Sequence, residues 1–216
     1  MATGRKRSPT QRRKGTPLNE QDWVDAAMKI LVNENVRGIR IDTLCAKLGV
    51  TKGSFYWHFG ARNDLLVAML KTWRRKMTLN VIKSITLSGE TARERLRILL
   101  ALPRRKNSPA NARIEMSIRD WARRVQMPKE AVQEVDLIRM DYFTRLFRDM
   151  GVDDTEAEKR AYITYCLMMG DSVLHQTLPG AHRDAFLDGA MELITYGAPD
   201  QGRAAAPVPG EPDPDD

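Results

Sequence analysis

One stretch, Leu44 to Phe59 (LCAKLGVTKGSFYWHF), restricts the possible folds more than any other part of this 216-residue chain. Leu44 and Leu48 mark the apolar face of a short helix, and Gly49 ends it where a left-handed backbone costs least. Thr51 is placed to cap a second helix starting at Lys52. Phe55 and Phe59 give that helix an inward face, which leaves Lys52, Gly53, Ser54, Tyr56, Trp57 and His58 for the other side. Two short helices joined by a tight glycine turn make either an ordinary hairpin of an all-α core or a helix-turn-helix whose second helix enters the DNA major groove. The outward face favours the second. A merely solvated helix rarely sets Tyr and Trp beside Lys, Ser and His, a mixture that suits phosphates and base edges.

The charge distribution points the same way. The net charge is +7, but residues 1–75 hold fifteen Lys or Arg against six Asp or Glu, or +9, and the remaining 141 hold twenty against twenty-two. Positive charge gathered beside the helix-turn-helix is the electrostatic footprint of a nucleic-acid binder. No run of eighteen apolar residues occurs, so no membrane span is expected, and the charged N-terminus lacks the apolar stretch of a secretory signal. Cys45 and Cys166 fit neither a CxxC nor a zinc pattern. Both read as reduced packing residues of a cytoplasmic protein, with a redox sensor as the alternative.

Taken in order, residues 1–18 form a basic arm (Arg5, Lys6, Arg7, Arg12, Arg13, Lys14) without periodicity, expected to be disordered. It serves either as a solubilising tail or as an arm that follows phosphates or a minor groove. A first helix starts sharply, with Asn19 as cap, Glu20 and Asp22 in its first turn and Leu18 stapled onto Trp23. Trp23, Ala27, Ile30 and Leu31 repeat at helical spacing, and Asn35 to Gly38 supply the exit. Ile41 to Leu48 and Lys52 onward complete a domain expected over residues 19–66. From Arg62 an amphipathic pattern runs unbroken to about Ile85, roughly 36 Å of helix and long enough to enter a second, larger domain over 67–197. Arg74, Arg75 and Lys76 in its middle read as a solvated face.

Further helices are expected over Thr91–Leu102, Asn111–Val125, Glu130–Met150 (with Pro128 as separator), Asp154–Leu178 and Arg183–Tyr196. The inward stripe of Glu130–Met150 is Val132, Val135, Ile138, Tyr142, Leu146 and Phe147. Gly170, in mid-helix at a cost of about 1 kcal/mol against Ala, suggests close approach of a neighbouring backbone. The last two helices carry apolar surface on more than one face, through Tyr162, Gly170, Val173, Phe186, Ala190 and Ile194. They form either an internal hairpin or half of a four-helix bundle between two subunits. Residues 198–216 are a Pro-, Ala- and Asp-rich acidic tail. The fold class is all-α.

Catalytic patterns are missing. The sequence has no nucleophile elbow, P-loop, dinucleotide glycine fingerprint or metal-spaced His pair. His175 and His182 are isolated, and Asp153-Asp154 suit a helix N-terminus. An enzyme is not expected, and neither a cofactor nor a metal is called for.

GVTKGSFYWHF, followed by Arg62 and Leu65-Leu66, resembles the DNA-binding signature of the TetR family of bacterial transcription regulators. The likeness covers residues 19–66; beyond them it rests on helix count and order. It implies phosphate contacts at Thr51, Tyr56, His58 and Arg62, base contacts at Lys52, Gly53 and Ser54, and Trp57 at the groove edge. Where the family usually caps its second helix with Thr, this chain has Arg40, a weaker cap but an added cation where the family meets a phosphate. The resemblance further implies a homodimer on a palindromic double-stranded DNA operator, a pocket enclosed by the middle helices, and a small-molecule effector that lowers DNA affinity. By analogy the pocket draws on Met116, Trp121, Tyr142, Tyr165 and Met169, each also a reasonable core residue. Two functions therefore stay open: an effector-responsive repressor, and an architectural DNA-binding protein whose large domain only dimerises.

Overall fold

The computed structural model describes residues 18–105, 108–174 and 182–199, so the basic arm, His175 and nearly all of the acidic tail lie outside the described residues. Ten α-helices and no strand occur among the described residues. Helix α1 (Glu20–Glu34) begins with a reciprocal cap, Asn19 Oδ1 accepting from Asp22 N at 3.1 Å and Asp22 Oδ2 from Asn19 N at 2.8 Å. It ends at Asn35, at φ 61°, whose side chain accepts from Arg37 N at 2.9 Å. Helix α2 (Ile41–Leu48) starts from Arg40 without a side-chain cap and stops at Gly49, at φ 69°. The left-handed step there turns the chain directly into α3 (Lys52–His58). Thr51 takes the N-cap position of α3, but its hydroxyl makes no capping bond.

The pattern expected to run unbroken from Arg62 is helical throughout but not uniform. Helix α4 (Arg62–Arg74) passes through a π-helical turn, Arg75–Leu79, into α5 (Asn80–Thr86). The stripe itself explains the irregularity. Met69, Trp73, Met77, Val81 and Ile85 recur at strict intervals of four, which drift about 40° per step around a regular α-helix. A wider turn takes up part of that drift. The cations expected on a solvated face are engaged as well. Lys76 Nζ lies 3.4 Å from Asp25 of α1, and Arg74 pairs with Glu134 at 2.6 Å.

Helix α6 (Ala92–Leu100) is boxed by Thr91 and Glu94, and a 3-10 turn at Leu102–Arg104 follows. Helices α7 (Ser108–Ala122) and α8 (Gln126–Asp149) both begin earlier than the sequence suggests. Pro109 and Pro128 do not precede these helices but sit inside their first turns, where a fixed φ fits and a missing N–H leaves no bond unmade. Helices α9 (Asp154–Leu174) and α10 (Arg183–Ile194) complete the set.

Side chains pack into two cores. The first joins Trp23, Leu44, Phe55, Phe59, Leu65, Leu66, Met69 and Trp73 of α1–α4 with Ile118 and Trp121 of α7 and Val135 of α8. The second is built from α6, α8, α9 and α10 around Leu96, Phe143, Leu146, Phe147 and Ala161. Ile194 belongs to this second core at 8% exposure, so it faces inward and not toward a partner. Tyr162, Val173 and Phe186 are exposed, with Ile163, Leu167 and Leu193 beside them in the same two helices and Tyr196 just after α10. Ala190 is half-buried in the groove between α9 and α10. A Cβ built on Gly170 meets nothing within 4 Å, so no neighbour among the described residues requires glycine there. Cys45 is buried, and burial followed by the nearby Asp42 pushes its thiol pKa up. Cys166 is exposed, contrary to its reading as a packing residue, because the apolar middle of α9 is uncovered within one chain.

Candidate nucleic-acid interface and internal cavity

Helix α3 owes its pose to two phenylalanines. Phe55 is fully buried and Phe59 is 5% exposed; Phe55 meets Trp23 edge-on, with ring centroids 5.4 Å apart. Burying both rings forces the rest of the helix outward. Trp57 is 86% and Tyr56 55% exposed, far more than an aromatic side chain usually tolerates without a partner. Thr51, Lys52 and Gly53 are exposed; Ser54 and His58 are half-buried, with the His58 ring 6.4 Å from that of Trp23. A Cβ on Gly53 would meet only Thr51 Oγ1 at 3.7 Å, so nothing among the described residues demands glycine at that position. Arg40 stands exposed at the head of α2, with Nε 3.4 Å from Thr43 Oγ1.

Two of the expected DNA contacts are already occupied. Lys52 Nζ lies 2.7 Å from Asp42 Oδ1, and this hydrogen bond, then the charge of Asp42, raises the lysine pKa. Both side chains are well exposed, so the pair is open to exchange for another anion. Arg62 is committed more firmly. Its guanidinium donates to the carbonyl oxygens of Ile39 and, at 2.7 Å, of Val36. It therefore ties the head of α4 to the turn after α1, and its cation is spent on backbone carbonyls where the sequence suggested a phosphate.

A cavity of about 520 Å³ lies among the π turn and helices α5–α9. Of the five residues expected at a pocket, Tyr142 and Met169 line it. Met116 is 45% exposed on the outer side of α7, and Trp121 is buried in the first core. Tyr165 stands behind the wall as part of a polar network.

That network is the part of the site that the sequence reading missed. Glu115, 4% exposed, accepts from Trp73 Nε1 (3.1 Å), Arg119 Nε (2.9 Å) and Arg139 Nη1 and Nη2 (3.1 and 3.2 Å). Arg139 also donates to Thr78 Oγ1 at 3.1 Å, the Met77 carbonyl at 3.3 Å and Tyr165 OH at 3.2 Å. It packs 5.9 Å from the centre of the Trp73 ring. Arg119 in turn grips Asp136 (Nη1 to Oδ2, 3.0 Å), and Tyr165 OH donates to Asp136 Oδ1 at 2.6 Å. Burial alone would raise the Glu115 pKa. The charge and hydrogen bonds of Arg139, then Arg119 and Trp73, outweigh it and hold the carboxyl below the ordinary range. At Tyr165, by contrast, burial prevails and pushes the hydroxyl up to about 12. One signal could have exposed the network: Val135, Arg139, Tyr142 and Leu146 continue one helical stripe, so Arg139 occupies a core position and needs a buried anion.

No helix of the described residues is long and apolar enough to cross a membrane, and no group of three or more His, Cys, Asp or Glu among them could hold a metal ion.

Comparison with known proteins bears on the first four helices and on the fold. Residues 24–69 match the model of bacterial regulatory proteins, tetR family. The HTH-type transcriptional regulator SrpR of Pseudomonas putida is 33% identical over 60 residues, 28% of this chain and 28% of that one. The HTH-type transcriptional regulator TtgW, also of Pseudomonas putida, is 33% identical over 60 residues, covering 28% of this chain and 45% of that one. The chain thus matches less than half the length of either relative. A transcriptional regulator from Rhodococcus sp. Rha1 superposes with a TM-score of 0.68 at 16% identity, over 84% of this chain and 98% of that one. A regulator from Saccharomonospora viridis in complex with choline gives 0.64 at 16% identity, over 82% and 93%. At such identities the structures speak to the fold alone. Over residues 24–69 the chain thus matches the bacterial regulatory proteins of the tetR family, and it shares its all-helical fold with the solved transcriptional regulators.

Proposed function

We propose that this chain is a transcriptional repressor that binds a palindromic operator as a homodimer and leaves it when a small molecule fills the internal cavity. One observation carries the reading. The helical run from Arg62 to Thr86 holds Leu65 and Leu66 in the same core as Phe55 and Phe59 of α3, while its π turn is gripped through Thr78 and Met77 by the Arg139–Glu115 wall of the cavity. Whatever moves that wall acts on the element that seats α3. The dimer is supported by the exposed apolar residues of α9 and α10, and a small-molecule occupant by the choline-bound regulator of the same fold.

On the DNA, Lys52, Gly53 and Ser54 meet base edges, Gly53 by leaving room for the backbone to approach. Thr51, Tyr56, His58 and Arg40 meet phosphates, and Trp57 lies at the groove edge. Lys52 exchanges Asp42 for guanine O6 or N7. One α3 reads only a few base pairs, so two copies related by a dyad are needed for useful specificity. A genome-wide map of bound sites tests the reading: a palindromic motif upstream of a small set of genes supports it. Uniform occupancy without a motif would instead favour the architectural role.

A further inference from the structure

The charged groups of the inner wall are already engaged with one another and with the backbone. Arg139 places its N–H groups on Thr78, Glu115, Tyr165 and the Met77 carbonyl, and so uses all five donors of a guanidinium. Glu115 is filled by Trp73, Arg119 and Arg139. The Tyr142 hydroxyl is shared with Thr86 Oγ1 at 3.0 Å, and the Ser108 hydroxyl donates to the Leu102 carbonyl. What the inner wall offers an occupant is carbon, chiefly Val81, Leu99, Phe143, Met168 and Met169. A charged ligand group placed there would give up its water and find no free charge to pair with.

The solvent side is the opposite. Of the charged residues lining the cavity, Glu115 and Arg139 satisfy one another, which leaves Lys76 and Arg105. Arg105 is exposed and its guanidinium has no partner among the described residues; Lys76 is half-exposed and shares Asp25 at 3.4 Å. A free guanidinium beside an apolar chamber is the recognition element for a planar anion.

We propose that the cavity takes an amphiphile with an unbranched or aromatic apolar body and a carboxylate head, the body inside and the head held by Arg105 with help from Lys76. This assignment rests on the effector reading above and names the class of ligand that reading requires.

The test is calorimetric titration of the full chain with sodium decanoate, 1-decanol and decyltrimethylammonium, which share one chain length and differ in head charge. Decanoate is expected to bind about tenfold more tightly than decanol, the difference between a charge-assisted and a neutral hydrogen bond. Arg105→Ala should erase that advantage, and octanoate should bind about fourfold more weakly than decanoate for each methylene removed. Ala112→Phe, which fills part of the chamber, should weaken all three probes. The alcohol or the ammonium matching decanoate, Arg105→Ala leaving the ranking intact, or Ala112→Phe leaving decanoate binding intact would each overturn the proposal. Decanoate that binds through Arg105 yet leaves operator affinity unchanged would keep the headgroup assignment and remove the effector reading instead.

Discussion

Glu115→Gln is the sharpest perturbation of the buried network. The side chain keeps its shape, but an amide NH2 replaces one carboxylate oxygen and turns donors toward donors. Glu115 accepts from Trp73 at 3.1 Å, Arg119 at 2.9 Å and Arg139 at 3.1 and 3.2 Å, so whichever way the amide is turned two of these contacts become repulsive. Arg119 retains Asp136, whereas Arg139 keeps only neutral partners and becomes an uncompensated buried charge. Breaking one side of a buried pair in this way costs about 3–5 kcal/mol. For a chain of this size that lowers the unfolding midpoint by roughly 6–20 °C, measurable by thermal unfolding followed by circular dichroism at neutral pH. The pH dependence has a definite sign. The folded Glu115 pKa lies below its ordinary value of 4.5, because Arg139, Arg119 and Trp73 together outweigh the effect of burial. Its contribution is therefore complete above about pH 4.5 and is lost as pH falls through the lower folded value, so the gap between wild type and variant closes only in acid. A loss below about 1 kcal/mol, or a gap equally wide in acid and at neutrality, would refute a buried, paired carboxylate at this position.

Three other perturbations probe the remaining parts. Lys52→Ala should weaken a cognate site by roughly 5- to 150-fold and relax one base pair per half-site, with little effect on random DNA; equal losses on both would make Lys52 a phosphate contact. Arg62→Ala should lower stability by about 1–3 kcal/mol by leaving the Ile39 carbonyl unpaired and the Val36 carbonyl with only the Ile39 N–H, with the salt dependence of DNA binding unchanged. A salt slope shallower by about one in the same variant would restore Arg62 to the DNA backbone. Leu193→Asp, at a position 80% exposed in the single chain, should leave the fold intact and yield a monomer in sedimentation; an unchanged dimer would put the interface elsewhere.

The parts of the molecule that the sequence disclosed are those settled within a few residues. Asn19 with Asp22, Thr91 with Glu94, and Gly49 are local devices whose geometry follows from residue type and spacing. Phe55 and Phe59 likewise dictate which face of α3 is left outside. The errors fall where a choice is made over long range. Pro109 and Pro128 are as compatible with a helix start as with a break, and only the packing of α7 and α8 decides between them. Trp121 is as good a pocket residue as a core residue until α7 is placed against α1 and α4. Ile194 cannot be told from Phe186 by hydrophobicity alone; the packing of α10 against α6 and α9 buries one and leaves the other exposed. Glu115 and Arg139 stand 24 positions apart on different helices and become a pair only through the fold. The carboxylate wall is thus invisible in short motifs.

The linkage between cavity and operator is tested most directly by the affinity of a cavity ligand measured with and without saturating operator DNA. A ligand that releases the protein must bind the arrangement that DNA disfavours, since equal affinity for both arrangements shifts nothing. Thermodynamic reciprocity then requires the operator to weaken the ligand by the factor by which the ligand weakens the operator. A coupling of about 1–3 kcal/mol makes that factor roughly 5- to 150-fold. Ligand binding weakened by the operator within that range is the expected result. Identical affinities in the two titrations, for a ligand whose binding is abolished by Ala112→Phe, would contradict the linkage and leave α3 and the cavity as independent sites on one chain.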